Sequence, residues 1–378
     1  MFYWLSQWLM NVSPDLGFLR VLRYITVRTA LALLTAFIVS LIIGPMIIHW
    51  LRYVGMGDLI RKINKKGCPD LYEMHKNKEG TPSMGGLIII GSLVVSVLLF
   101  GHLSNPLVLA VMLVALALGA VGFIDDYTKI VKKKRTGLSP RVKLALQVGI
   151  GCCLGVFMYF ADLGVYYAHK GIRGNTAVCF PFFKDLYPVL GMFFVPYVVV
   201  VLTATANAVN LTDGLDGLAI GITIIVAICF GVLAYLIGRV DFAPYLIMPY
   251  VPGAGEVGIV LAGTVGAGLG FLWFNSHPAE VFMGDTGSQA LGGVVGASAL
   301  LIKQEFLLVI IGGIFVLEVF SVILQIMSVK LRGKRIFLMS PLHHHFEKLG
   351  WHESKIICRF WIITGLLALI GMSSLKIR

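Results

Sequence analysis

The sequence predicts an all-α polytopic integral membrane protein with about ten transmembrane helices, and three observations carry that reading. Hydrophobic residues make up 58% of the chain and charged residues 13%, against roughly 45–50% and about 25% in soluble domains. The apolar excess lies in repeated runs, each near the roughly 20 residues a helix needs to cross the hydrocarbon core. Ionisable residues gather in those connecting segments that would share one membrane face. No single water-soluble core would bury all of these runs.

The expected spans are 29–51, 84–100, 106–124, 144–161, 187–209, 218–238, 256–274, 288–302, 306–329 and 356–375. Span 288–302 is the shortest and is rich in glycine. Gly44-Pro45 interrupts the first span, which membrane helices tolerate when neighbours satisfy the freed backbone groups. Upstream, Trp4, Trp8 and Phe18 lie in a stretch lacking the apolar core and small-residue site of a cleaved signal peptide, so an interfacial segment is expected. The connection 162–186 carries Tyr166, Tyr167, Phe180, Phe182 and Phe183 with Gly171 and Gly174, which suggests a β-hairpin or amphipathic element at the interface. One domain, 1–378, is the simplest organisation.

Ten spans place their connections alternately on two sides. Segments after odd-numbered spans hold about two-thirds of the 31 Lys and Arg, counting Arg359 at the adjoining end of the last span. The positive-inside rule makes that face cytoplasmic and turns both termini outward. Arg20, Arg23 and Arg28 oppose this assignment but are outnumbered by Arg52, Arg61, Lys62, Lys65 and Lys66. The net charge of +12 therefore mostly sets topology and attracts anionic headgroups of the lipid bilayer. It is compatible with a polyphosphate substrate and is no argument for nucleic acid. None of the six cysteines stands at a zinc or redox spacing, so neither a disulfide nor a cysteine-bound metal is expected.

Five polar constellations follow odd-numbered spans. Asp125-Asp126-Tyr127-Thr128-Lys129 ends span 3. Adjacent carboxylates at a membrane boundary are costly without a cation, and Lys129 is within helical reach of both. A Mg²⁺ or phosphate site fits them; so does an ordinary solvated helix end. Asn210 to Gly217, with Asp213-Gly214 and Asp216-Gly217, brings several oxygens into one polar turn, more than a single helix cap requires. Around Asp285, the run Asn275 to Ser288 surrounds one carboxylate with Gly284 and Gly287, exposing backbone amides as a phosphate-and-metal site would. Phe282 there can stack on a flat base or serve as a belt aromatic. His343-His344-His345 invites a zinc reading, but three consecutive side chains diverge, so phosphate contact or proton transfer fits at least one of them better. Lys78, Ser83 and Gly85-Gly86 lead into span 2, where phosphate and close backbone approach compete with a plain topology role.

Parity discriminates where the single motifs do not, because all five constellations lie on one face. A transporter would more often hold its site near the bilayer midplane, and here Glu318 and Gln325 are the main polar residues within a span. The pattern suits an interfacial enzyme joining a water-soluble polyphosphate to a lipid.

Asp125-Asp126-x-x-Lys129, the Asn210–Gly217 turn, Phe282-Met283-Gly284-Asp285 and Pro341-Leu342-His343-His344-His345-Phe346 resemble the polyprenyl-phosphate N-acetylhexosamine-1-phosphate transferases over nearly the whole chain. The triple-His loop with Phe346-Glu347 and Gly350-Trp351 is its most specific part, since relatives with N-acetylglucosamine donors carry a different pattern there. The resemblance implies transfer of phospho-N-acetylmuramoyl-pentapeptide from UDP-N-acetylmuramoyl-pentapeptide to undecaprenyl phosphate, with UMP released and Mg²⁺ required, at the bacterial cytoplasmic membrane. It implies Asp285 as the Mg²⁺ ligand, and Asp125 and Asp126 for the polyprenyl phosphate, with Asp125 as base or nucleophile. Lys78, Asn210, Asp213 and Phe282 would hold uridine and its neighbours. Lys129, Lys133, Asn275, Ser288, Gln325, His343 and His345 would line the sugar-phosphate and pyrophosphate region. Ser83 and Asp216 complete the substrate-binding set, and His344 joins Asp125, Asp126 and Asp285 as catalytic. One-step and aspartyl-phosphate routes both stay open, as does a homodimer. The alternatives are a sibling transferase using UDP-N-acetylglucosamine and a membrane transporter.

Overall fold

Each expected span corresponds to a helical body in the computed structural model, which describes residues 1–3, 14–55, 80–130, 137–167, 171–183 and 186–375. In chain order these are α1 (Ile25–Tyr53), α2 (Gly86–Phe100), α3 (Pro106–Ile130), α4 (Pro140–Phe160), α5 (Phe194–Thr212), α6 (Leu218–Ile237), α7 (Ala254–Asn275) and α8 (Gly284–Leu301). The ninth span is broken at Gly312 into α9 (Glu305–Ile311) and α10 (Gly313–Arg332); α11 (Leu342–Lys348) and α12 (Glu353–Ser374) follow. Eight of the helices among the described residues are long and apolar enough to cross a membrane. The protein is an all-α polytopic membrane protein. The connection after α4 forms the hairpin expected there, with β1 (Tyr166–Tyr167) antiparallel to β2 (Ile172–Arg173). Trp4 and Trp8 lie outside the described residues.

Several boundaries differ from the sequence reading, for physical reasons. Helix α4 starts at Pro140 rather than 144, because Ser139 caps it through Val142 N–H and Pro140 occupies the first turn. That shift brings Lys143 onto the helix. Helix α5 begins only at Phe194, since Val189 is bridged to Ala177 in the outer connection. Helix α8 starts at Gly284 instead of 288, so Asp285 lies in a first helical turn and not in a loop.

The centre of the bundle is built from α7 and α8, whose side chains are buried almost end to end. This explains why α8 is weakly hydrophobic: protein surrounds it, not lipid. Helix α7 packs on α1 through small residues. A Cβ at Gly266 would come within 2.0 Å of the Leu33 carbonyl, and one at Gly270 within 2.4 Å of Ser40 Cβ. Spaced four apart, the two glycines let the backbones touch, the usual device of membrane helix pairs.

At the opposite end from Asp125 and Asp285, Arg28 of α1 and Glu256 of α7 form a buried two-pronged ion pair, with Arg28 Nη1 donating to Glu256 Oε2 at 2.8 Å. Arg28, which opposes the charge-based topology, is thus committed to packing. Removing one partner strands a buried charge, at a cost of about 3–5 kcal/mol. Glu256→Gln accordingly lowers the thermal midpoint in detergent, and Arg28→Met combined with Glu256→Leu recovers much of that loss.

Candidate active site

The site is made where the ends of α3, α4, α5 and α8 meet. Helix α3 runs on to Ile130, so Asp125 and Lys129 share its last turn, with Lys129 Nζ 2.6 Å from Asp125 Oδ2. Asp125 is buried, and its Oδ1 accepts the Leu138 N–H at 2.7 Å. Gly122, a turn earlier, sets the spacing to α8: a Cβ there would lie 2.1 Å from the Asp285 carbonyl oxygen. The two helix ends are therefore in backbone contact.

Asp126 uses that contact. Its Oδ1 accepts the Asp285 N–H at 3.2 Å, and its Oδ2 accepts the N–H and hydroxyl of Thr286 at 2.9 and 2.7 Å. It caps α8 from a neighbouring helix, placing a negative charge at the positive end of the α8 dipole. Asp125 and Asp126, adjacent in the chain and both expected at the polyprenyl phosphate, therefore make different contacts.

Asp285 is the meeting point. Oδ2 accepts from Lys129 Nζ at 2.9 Å and from Lys143 Nζ at 2.6 Å, while Oδ1 accepts from Asn210 Nδ2 at 2.8 Å. Asn210 also donates to Ser288 Oγ at 2.8 Å. Lys143 was not among the expected residues; placing the start of α4 too late left it in a connection. The signal was present as Ser139-Pro140, a helix start that carries Lys143 one turn into the bundle.

Asp285, Asp125 and Asp126 each offer an oxygen within 4.8 Å of one another. Hard carboxylate oxygens at helix ends suit Mg²⁺. The oxygens of Asp126 are engaged by the α8 terminus, whereas Asp285 Oδ2 and Asp125 Oδ2 face ammonium groups, partners that a cation can replace. The donor set fits the metal that the sequence resemblance implies, with Asp285 and Asp125 as the oxygens in position.

Beside this cluster, residues 82–86 are sewn to 282–283. Phe282 N–H donates to Pro82 O, Gly85 N–H to Phe282 O and Gly86 N–H to Met283 O, at 2.8, 2.8 and 2.9 Å. Ser83 lies close to Asp126, since a Cβ on Gly284 would meet both, at 3.0 and 2.7 Å. A second polar group ties the Asn210–Gly217 turn down. Asn275 Oδ1 accepts the Gly217 N–H at 2.9 Å, and Glu353 Oε1 accepts the Asp216 N–H at 2.8 Å. Asp216 Oδ2 lies 3.2 Å from His277 Nδ1. His277 and Glu353 are additions the sequence reading did not make. Asp213 stands between the two groups, at the end of α5. Burial, then the charges of Asp285, Asp126 and Asp216, push its carboxyl well above the usual carboxylate range.

The three histidines diverge, as consecutive residues must, because their segment is the short helix α11 and not a loop. His343 is buried with Nδ1 3.2 Å from Glu318 Oε1, and its Nε2 abuts Gly214. Glu318 also accepts the Leu342 N–H at 2.7 Å. His344 pairs with Glu347 one turn on. His345 Nδ1 accepts the Leu338 N–H at 3.2 Å. Gln325 is occupied by backbone: Oε1 accepts the Ile336 and Phe337 N–H groups, and Nε2 donates to Phe337 O. The structure therefore places Gln325 and His345 on the 336–338 segment, while Asp125, Asp126, Lys129, Asn210, Asp285 and Ser288 come together. Lys78 and Lys133 lie outside the described residues.

Residues 108–303 match the family described as glycosyl transferase family 4, and residues 78–90 match the phospho-N-acetylmuramoyl-pentapeptide-transferase signature 1. The first match contains the Asp125, Asn210 and Asp285 segments; the second contains Lys78, Ser83 and Gly85-Gly86. The chain belongs to glycosyl transferase family 4, within which it carries the signature of the phospho-N-acetylmuramoyl-pentapeptide transferases.

Two expectations follow from this geometry. Gly122→Ala forces α3 away from the α8 terminus and lowers turnover roughly 10²-fold or more, read as kcat of folded protein. Asp213→Asn trades activity for stability. A carboxyl whose pKa is raised on folding costs nothing below about pH 4, where it is protonated in both states, and destabilises increasingly as pH rises toward its folded value. The variant's gain in thermal midpoint over the wild type therefore grows from about pH 4 toward neutrality; a flat difference across that range counts against it.

Proposed function

We propose that this phosphoglycosyl transferase moves phospho-N-acetylmuramoyl-pentapeptide from its UDP carrier to undecaprenyl phosphate, releasing UMP at the cytoplasmic end of the bundle in the bacterial inner membrane. The observation that carries the reading is the convergence of Lys129 and Lys143 on Asp285 beside Asn210, at a membrane-level helix junction. Two anions must meet there, and paired ammonium groups lower that barrier by cancelling repulsion where the phosphates come together.

Within this reading, Asp125 and Asp285 hold the ammonium groups in place and would hold Mg²⁺. When bound, that ion neutralises pyrophosphate charge and stabilises the departing UMP. Lys129 and Lys143 are the cations available to the phosphates, and Asn210 orients the Asp285 carboxylate through Oδ1. The sewn segment ending in Phe282 and the tied Asn210–Gly217 turn supply a rigid wall for the nucleotide. The lipid phosphate is already ionised, so the chain has to position it and screen it more than activate it.

An apolar groove of about 270 Å³ supports a membrane-embedded acceptor. It runs between α5 and the broken ninth span and is lined by Val200, Ala204, Phe315, Val316, Val319 and Phe320. A polyprenyl tail suits its composition, and its position beside α5 leads toward Asn210.

Purified protein with Mg²⁺, undecaprenyl phosphate and UDP-N-acetylmuramoyl-pentapeptide is expected to release UMP, and Asp285→Asn and Lys143→Met to lose roughly 10²-fold or more of kcat while staying folded. No UMP above a control without lipid refutes the assignment. Release from UDP-N-acetylglucosamine in its place identifies a sibling activity.

A further inference from the structure

One helical turn deeper than the acidic cluster lies a set of three amides that the proposed transfer does not use. Gln147 Nε2 donates to Gln289 Oε1 at 2.7 Å and to Asn207 Oδ1 at 3.2 Å, and Asn207 Nδ2 returns a bond to Gln147 Oε1 at 2.8 Å. Gln147 and Gln289 are buried. The three come from three different helices, and each sits a turn from a residue of the site on its own helix. Gln147 follows Lys143 by four on α4, Asn207 precedes Asn210 by three on α5, and Gln289 follows Asp285 by four on α8. At these spacings side chains stack on one helix face. The amide layer thus links, one turn below, the same three helices that Lys143, Asn210 and Asp285 link above it.

Helix α5 also meets α4 and α8 without these amides. Deeper in the bundle, Gly151 and Gly155 already bring α4 against Val199 and Val195 of α5, and Gly292 brings α8 against Ala206 of α5. Polar side chains buried at this depth carry a desolvation cost, and Gln289 Nε2 is left without a partner among the described residues. Their common property is their level: each is at the height that fixes the rotation and rise of the turn bearing a charged or polar site group. A displacement of about 1 Å there is enough to cost roughly 10²-fold in rate.

We propose that Gln147, Asn207 and Gln289 form a positioning layer that sets the register of Lys143, Asn210 and Asp285 for catalysis. The proposal rests on the transferase reading above. The test is a double-mutant cycle on the UMP-release assay, with thermal midpoints measured alongside. Gln147→Met keeps the length and loses the bonds; it is expected to lower kcat about tenfold or more, with KM for the UDP-sugar changed less than about twofold and the protein still folded. In a Lys143→Met background, whose residual turnover is followed with radiolabelled substrate, the same change is expected to cost less than about twofold, since the group it positions is gone. Asn207→Leu, paired with Asn210→Ala, repeats the cycle on a second helix. Equal losses in both backgrounds, unchanged kcat in Gln147→Met, or failure of both single variants to fold each overturn the proposal. Absence of turnover in the wild type refutes the transferase reading instead, so the two failures are told apart.

Discussion

Three carboxylates at the membrane level of a helix bundle repel one another, and everything at this site answers to that repulsion. Asp285 is tolerable because two ammonium groups and an amide converge on it. Asp126 is tolerable because it is committed to the positive end of α8. Asp125 shares Lys129 and a backbone N–H. Meeting these needs takes α3, α4, α5 and α8 at once, so the charge balance dictates which helices must touch and where they must end. Gly122 is the steric counterpart, lacking a side chain that would meet the Asp285 backbone and hold the ends of α3 and α8 apart.

The same logic explains why so much backbone is bonded to side chains around the site. Asn275, Glu353, Glu318 and Gln325 each hold a loop or a short helix by its N–H groups. Loops over a membrane interface have no sheet or long helix to satisfy them, and buried backbone groups must find partners. Those four residues fasten the Asn210–Gly217 turn, the 336–337 segment and the histidine helix to the bundle.

Much of this was legible in the sequence. Hydropathy runs gave the helical bodies, because lipid and buried protein both demand apolar residues over one membrane thickness. Loop parity anticipated that the segments bearing Asp125, Asn210 and Asp285 would share one end. What remained hidden was side-chain reach. Lys143 looked like one more basic residue after span 3, and only the capped start at Ser139 turns it toward Asp285. Gln325, assigned to the site by resemblance, bonds through its amide to residues 336 and 337, contacts that spacing along the chain does not show. The histidine triplet read as a loop, because seven residues are too few to show helical periodicity. Buried amides such as Gln147 and Gln289 gave no signal at all, since one polar residue in an apolar run does not say which helix it faces.

Helix α8 is enclosed by protein along nearly its whole length. Helix α1, by contrast, turns Leu34, Ile38 and Ile42 outward, where lipid accepts any apolar side chain of roughly any shape. On α8, Gly287 and Gly292 have backbone or tightly packed side chains within 3 Å of where a Cβ would go. The two helices therefore have very different freedom to vary. Variants of this chain can drift freely in size on the outer surface while α8 stays almost fixed in volume, and a scan of substitutions along both would trace the enclosed helix without reference to any substrate.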